Sequence, residues 1–181
     1  MKATRTWEII LVLLLIAVVC GFGSTTEGFL DFYNLSDSTF NYSEKALIAL
    51  PMALVIIAGE IDISVAATVA LSSVAMGLAK NAGAGPLVIV LVGLLSGALC
   101  GALNGILITR FALPSIVVTI GTLSLYRGAA LVILGDGALP GYPASLSALG
   151  HGHIGHLVGF LWLQIPSEFM IFVVFSLLLT L

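Results

Sequence analysis

The sequence predicts an all-α, polytopic integral membrane fold, and three observations carry that prediction. Of its 181 residues, 60% are hydrophobic and only 8% charged, with a mean hydropathy of +1.20, which leaves too little polar surface to cover a soluble globule. The apolar residues gather into about six segments of helical length. Pro86 and Pro114 stand at the starts of two of them, where a missing N–H costs nothing.

The first segment, 7–22, has Trp7 and Phe22 at its ends, where the membrane interface would lie. Lys2 and Arg5 ahead of it resemble the start of a secretory signal, but Val19 before Cys20 fits no cleavage site and further apolar segments follow. It is expected to be a retained helix with a cytoplasmic N-terminus. Residues 24–44 carry Glu27, Asp31, Asp37 and Glu44 and are expected to form a solvent-facing connection.

The run 46–79 would measure about 51 Å as one helix, against a hydrocarbon core of about 30 Å. It is interrupted by Gly59-Glu60-Ile61-Asp62-Ile63-Ser64. The pieces on either side span only some 20–24 Å each, so two short or broken helices are expected, with a polar junction at membrane depth. Irregular backbone there must be buried in protein or line water. A turn at 80–85 leads to a spanning segment at 86–108 and another at 114–134. Residues 135–157, rich in Gly, Pro, Ser and His, are expected to be a loop on the outer side. The last apolar stretch stops at Leu181 after about 22 Å of helix, short of a crossing, so the chain is expected to stop inside a helix. Charge alone leaves the topology open: the positive-inside count is three to two whether 46–79 crosses once or twice.

The net charge of -3 contains no run of Lys or Arg that could track a phosphate backbone, so no nucleic-acid partner is expected. Cys20 and Cys100 lie in apolar segments and share no ligand spacing with histidine. His151, His153 and His156 read as a solvated loop, since neither carboxylate nor thiolate stands near them. No metal, cofactor, nucleophile–base pair or phosphate loop is expected.

Polar residues in lipid-compatible sequence are the candidate site. Glu60 and Asp62 each cost about 2.5–3.5 kcal/mol on insertion, so they should face a cavity or a partner. They could act as an ion relay, as the lining of a solute path, or, with Ser64, as caps of the broken helices. Gly93, Gly97, Gly101 and Gly105 recur every fourth residue and predict close helix packing, with Asn104 able to bond across the interface. Ser115, Thr119, Thr122 and Tyr126 form one polar stripe that either bonds neighbouring helices or lines a path. Arg127 is either a snorkelling anchor or a path residue.

The stretch Ala49-Leu-Pro-Met-Ala-Leu-Val-Ile-Ile-Ala-Gly-Glu-Ile-Asp-Ile-Ser-Val65 resembles the Gly-Gly-Ile/Leu-Asp-Leu-Ser-Val-Gly signature of the ribose-type ABC importer permeases. Residues 97–108 and Pro114-Ser-Ile-Val-Val-Thr-Ile-Gly-Thr-Leu-Ser-Leu-Tyr-Arg-Gly128 are similar to the two segments that follow it in that family. The wording is most similar to permeases for rhamnose and for autoinducer-2. The resemblance implies a multi-pass permease domain over 1–181, in a bacterial inner membrane. It also implies a second permease subunit, cytoplasmic ATPase subunits that hydrolyse the ATP, and a periplasmic solute-binding protein. Asp62 and Ser64 match the acidic and hydroxyl positions of the signature. Thr119, Thr122, Tyr126 and Arg127 fall in the later block, and Glu60 stands where the signature has glycine. Family members continue for about as long again, so an N-terminal portion of a longer domain is expected. Two other readings remain at this point: an ion-coupled carrier using Glu60 and Asp62, and an inactive membrane fragment.

Overall fold

The computed structural model describes residues 2–151 and 167–180, which form seven helices and no strand. They are α1 (Lys2–Thr25), α2 (Phe32–Ile57), α3 (Val65–Asn81), α4 (Pro86–Phe111), α5 (Ser115–Leu134), α6 (Ala144–His151) and α7 (Ser167–Thr180). By length and apolarity α1, α2, α4 and α5 are each able to cross a membrane, while α3 and α7 are shorter.

The helices agree with the expected segments at α1, α3, α4, α5 and α7 and differ from them at α2 and α6. Residues 32–44, expected as a connection, belong to α2, which runs unbroken for 26 residues. The piece before the interruption is therefore about 39 Å long and not a short helix. Its polar residues are absorbed locally: Thr39 Oγ1 donates to Leu35 O at 2.7 Å and Ser43 Oγ to Thr39 O at 2.6 Å, one turn back. Pro51 inside α2 removes one N–H from the ladder without ending the helix. The second correction is α6, a short helix within the expected loop 135–157. It begins directly after Pro143, whose carbonyl accepts from the N–H groups of Leu146 and Ser147. His153 and His156 lie outside the described residues.

Both α2 and α3 stop by the same device. After α2, Gly59 takes φ +83°, its N–H bonds Ile56 O at 3.0 Å, and Glu60 N–H bonds Val55 O at 3.0 Å. After α3, Gly83 takes φ +81°, with its own N–H on Lys80 O and that of Ala84 on Ala79 O. This paired pattern closes the last carbonyls of a helix and needs a left-handed residue, which glycine provides without steric cost.

The tightest packing is among α3, α4 and α5. A cluster of Ala67, Cys100 and Tyr126, with Leu71 and Leu123 against it, joins the three. α3 and α4 run antiparallel in a clear register. A Cβ built on Gly93 would fall 2.6 Å from Met76 Sδ, one on Gly97 would fall 3.6 Å from Ser72 Oγ, and Asn104 bonds Ser64. The segment after α5 straps back over α3: Leu139 lies against Gly77, Lys80 Nζ donates to Pro140 O at 2.7 Å, and the Tyr142 hydroxyl donates to Ser73 O at 3.3 Å. α2 packs on α7. No residue of the apolar stretch Trp7–Thr25 of α1 is buried.

Candidate functional site

The site forms where the chain leaves α2 and enters α3. Past the turn at Gly59, residues 60–64 are non-helical, so their backbone groups need partners from elsewhere. The start of α5 supplies them. Ser115 Oγ accepts the Ile61 N–H at 3.2 Å, and Thr119 Oγ1, which donates to Ser115 O at 2.8 Å, also reaches Ile61 O at 3.3 Å. The hydroxyl stripe of α5 thus divides into roles. Ser115 and Thr119 stitch the break, whereas Thr122 returns its hydroxyl to Val118 O within its own helix.

Asp62 then turns the chain into α3. Its Oδ1 accepts both the backbone N–H of Ser64 at 2.8 Å and the Ser64 hydroxyl at 2.7 Å. Ser64 occupies the N-cap position of α3, but its side chain does not cap the helix; it is spent on Asp62. Its carbonyl does accept the first helical N–H, from Thr68 at 2.9 Å. Behind Ser64, Asn104 Nδ2 donates to its Oγ at 2.8 Å, and the Tyr126 hydroxyl donates to Cys100 O at 2.9 Å and approaches Asn104 Oδ1 at 3.4 Å. Ser64, Asn104 and Tyr126 are all buried. The donors run one way, from Asn104 through Ser64 to the carboxylate, an arrangement in which each bond strengthens the next.

In front of this network lies a cavity of about 360 Å³. The break contributes Glu60, Ile61 and Asp62; the end of α2 contributes Val55 and Ala58. The C-terminal half of α4 lines it from Gly101 to Thr109, and α5 adds Ser115 and Thr119. Gly101 and Gly105, expected to pack helices, have nothing within 4 Å of a built Cβ and face this space. Only Gly93 and Gly97 of the stripe meet α3, because a four-residue repeat drifts around the helix as it proceeds. Among the described residues no Lys or Arg lines the cavity.

The structure therefore brings Glu60, Asp62, Asn104, Ser115 and Thr119 to one cavity and places Ser64 and Tyr126 behind it. Arg127, next to Tyr126 but about 100° further round α5, is exposed and lies apart from it. Thr109 escaped the sequence reading, and Gly59 entered it only as the start of the interruption. Gly59 was legible as a left-handed stop before an extended stretch, and Thr109 as the continuation of Gly101 and Gly105 at the same spacing.

Long apolar helices, a polar break held among them and an acid- and hydroxyl-lined cavity at that break fit a multi-pass membrane protein. Residues 34–181 match the family described as "Branched-chain amino acid transport system / permease component", and the chain belongs to that family. It is 38% identical over 163 residues to the autoinducer 2 import system permease protein LsrD of Klebsiella pneumoniae subsp. pneumoniae, covering 87% of this chain and 49% of that protein. It is 36% identical over 142 residues to the LsrD proteins of Escherichia coli K12 and Shigella flexneri, covering 78% of this chain and 43% of each. The chain spans about half the length of the curated relatives it matches. No solved structure matches it significantly.

Proposed function

We propose that this chain supplies part of the transmembrane path of an ATP-binding cassette importer that carries a monosaccharide or sugar-like solute, such as autoinducer-2, rhamnose or a ribose-type sugar, across the inner membrane. The carrying observation is the cavity at the break. A neutral polyhydroxylated solute gives up hydrogen bonds to water on entering a membrane and needs them replaced. Carboxylate oxygens of Glu60 and Asp62 and hydroxyl oxygens of Thr119 and Thr109 supply acceptors there, and the Ser115 hydroxyl and Asn104 amide supply donors. A solute bearing a carboxylate or phosphate would meet two acids and, among the described residues, no lining cation. The likeness to autoinducer 2 import permeases supports the same solute class.

In this reading the chain performs no covalent chemistry. ATP is hydrolysed on separate cytoplasmic subunits, solute arrives on a periplasmic binding protein, and a second permease subunit completes the path. Lipid and that second subunit cover the exposed apolar faces, among them Leu14 of α1 and Leu99 of α4.

The test is uptake of labelled autoinducer-2, rhamnose and ribose by cells expressing the full-length permease with its ATPase, second permease subunit and binding protein. Uptake of at least one, abolished when the ATPase is inactivated by substitution, is expected. Undiminished uptake with the inactive ATPase, driven by a proton or sodium gradient alone, overturns the proposal and favours an ion-coupled carrier.

A further inference from the structure

Ser64 is the one polar side chain of the break that never reaches the cavity. It is fully buried at 0% exposure, yet its hydroxyl is engaged from both sides, donating to Asp62 Oδ1 at 2.7 Å and accepting from Asn104 Nδ2 at 2.8 Å. The same carboxylate oxygen also takes the Ser64 N–H at 2.8 Å. Oδ1 is thereby occupied twice over. Oδ2 has no partner among the described residues, and it is not one of the buried polar atoms left unpartnered, so it is accessible on a residue that lines the cavity.

We propose that Ser64, backed by Asn104, is a positioning residue: it fixes Oδ1 of Asp62 so that Oδ2 alone is presented to a solute hydroxyl in the cavity. This rests on the cavity being the solute path. A carboxylate on a flexible stretch could rotate and offer either oxygen, or turn away, and each freedom would have to be lost when solute binds. A side chain held by second-layer hydrogen bonds has lost it already. The backing is itself anchored, since Asn104 sits on α4 with the Tyr126 hydroxyl at its Oδ1, and Tyr126 is fixed to the Cys100 carbonyl. Three helices thus converge on the orientation of one acid. Ser64 touches no solute in this account and acts only through Asp62.

The experiment is a double-mutant cycle on uptake of labelled autoinducer-2, rhamnose and ribose by the full-length permease in its complete transporter, with membrane levels of each variant matched. Asp62→Asn keeps the acceptor at Oδ1 and places an N–H donor where Oδ2 was, so it should lower the initial rate at limiting solute about ten-fold or more, the size expected for losing one charge-assisted hydrogen bond. Ser64→Ala should cause a loss of similar size in the wild-type background and less than two-fold in the Asp62→Asn background, because no carboxylate remains to be oriented. Infrared difference spectra should show the Asp62 carboxylate band, identified by its loss in Asp62→Asn, displaced in Ser64→Ala. A purely packing role for Ser64 would multiply with Asp62→Asn and leave the band in place, and either result overturns the proposal. Loss of uptake in Asp62→Asn without loss in Ser64→Ala overturns it alone. No effect of Asp62→Asn or Glu60→Gln overturns the solute-path reading and the positioning role together.

Discussion

Replacing Gly59 tests the physical origin of the break with little interference from packing. Gly59 has φ +83°, and a Cβ built there meets nothing within 4 Å, so an added side chain clashes with no neighbour. The whole penalty is the left-handed backbone, about 1–2 kcal/mol for an L-residue with an ordinary Cβ. For a protein of this size each kcal/mol lowers Tm by about 2–4 °C. Gly59→Ala should therefore lower the detergent-solubilised Tm by roughly 2–8 °C. Gly59→Val should fall further, since a β-branched residue tolerates positive φ least, and Gly59→Asn should recover part of the loss. Ala112 provides the reverse perturbation, because it closes α4 at φ +51° with a side chain already in place. Ala112→Gly should raise Tm by a few degrees, about 1 kcal/mol of relieved strain. Equal Tm values for Gly59→Ala and Gly59→Asn, or no change in either, would refute the idea that a left-handed stop fixes where α2 ends.

The two halves of the α4 glycine stripe should respond in opposite senses to the same change. Gly93→Ala puts a methyl 2.6 Å from Met76 Sδ and should destabilise until Met76→Ala makes room, whereas Gly101→Ala meets nothing and should raise Tm slightly through better helix propensity while narrowing the cavity and slowing uptake. Tyr126→Phe removes the bond to Cys100 O and leaves a buried carbonyl in its place, a loss of about 1 kcal/mol that thermal unfolding should register as a drop of a few degrees. Lys80→Met removes the 2.7 Å bond to Pro140 O that helps hold the strap on α3, and limited proteolysis should cut residues 135–143 faster in that variant than in the wild type.

The sequence made α4 and α5 legible because their limits are chemical: Pro86 and Pro114 at the starts, Gly135 at one end, and almost unbroken apolar sequence between. α2 was misjudged for the converse reason. Its first half is polar and acidic, so hydropathy reads it as a connection, yet it contains no Gly or Pro, and its hydroxyls bond back to the preceding turn. At the site, Asp62, Asn104 and Thr119 announced themselves as polar groups in apolar surroundings. Their division of labour did not, since whether a hydroxyl faces a cavity, a carboxylate or its own helix depends on rotations of a few tens of degrees about the helix axis. Gly101 and Gly93 are alike in sequence and opposite in environment for that reason. The backbone of Ile61, which Ser115 and Thr119 serve, carries no side-chain signal at all.

That tie between the break and α5 has a kinematic consequence. Both peptide groups of Ile61 meet hydroxyls belonging to another helix, at 3.2 and 3.3 Å, and those contacts are lost if donor and acceptor part by about 0.3 Å. Sliding the break against the start of α5 therefore strips both groups of these partners at membrane depth, a cost that favours the two moving together. Rocking that keeps those partners pivots outside the pair, and the nearest glycine is Gly59, at φ +83°.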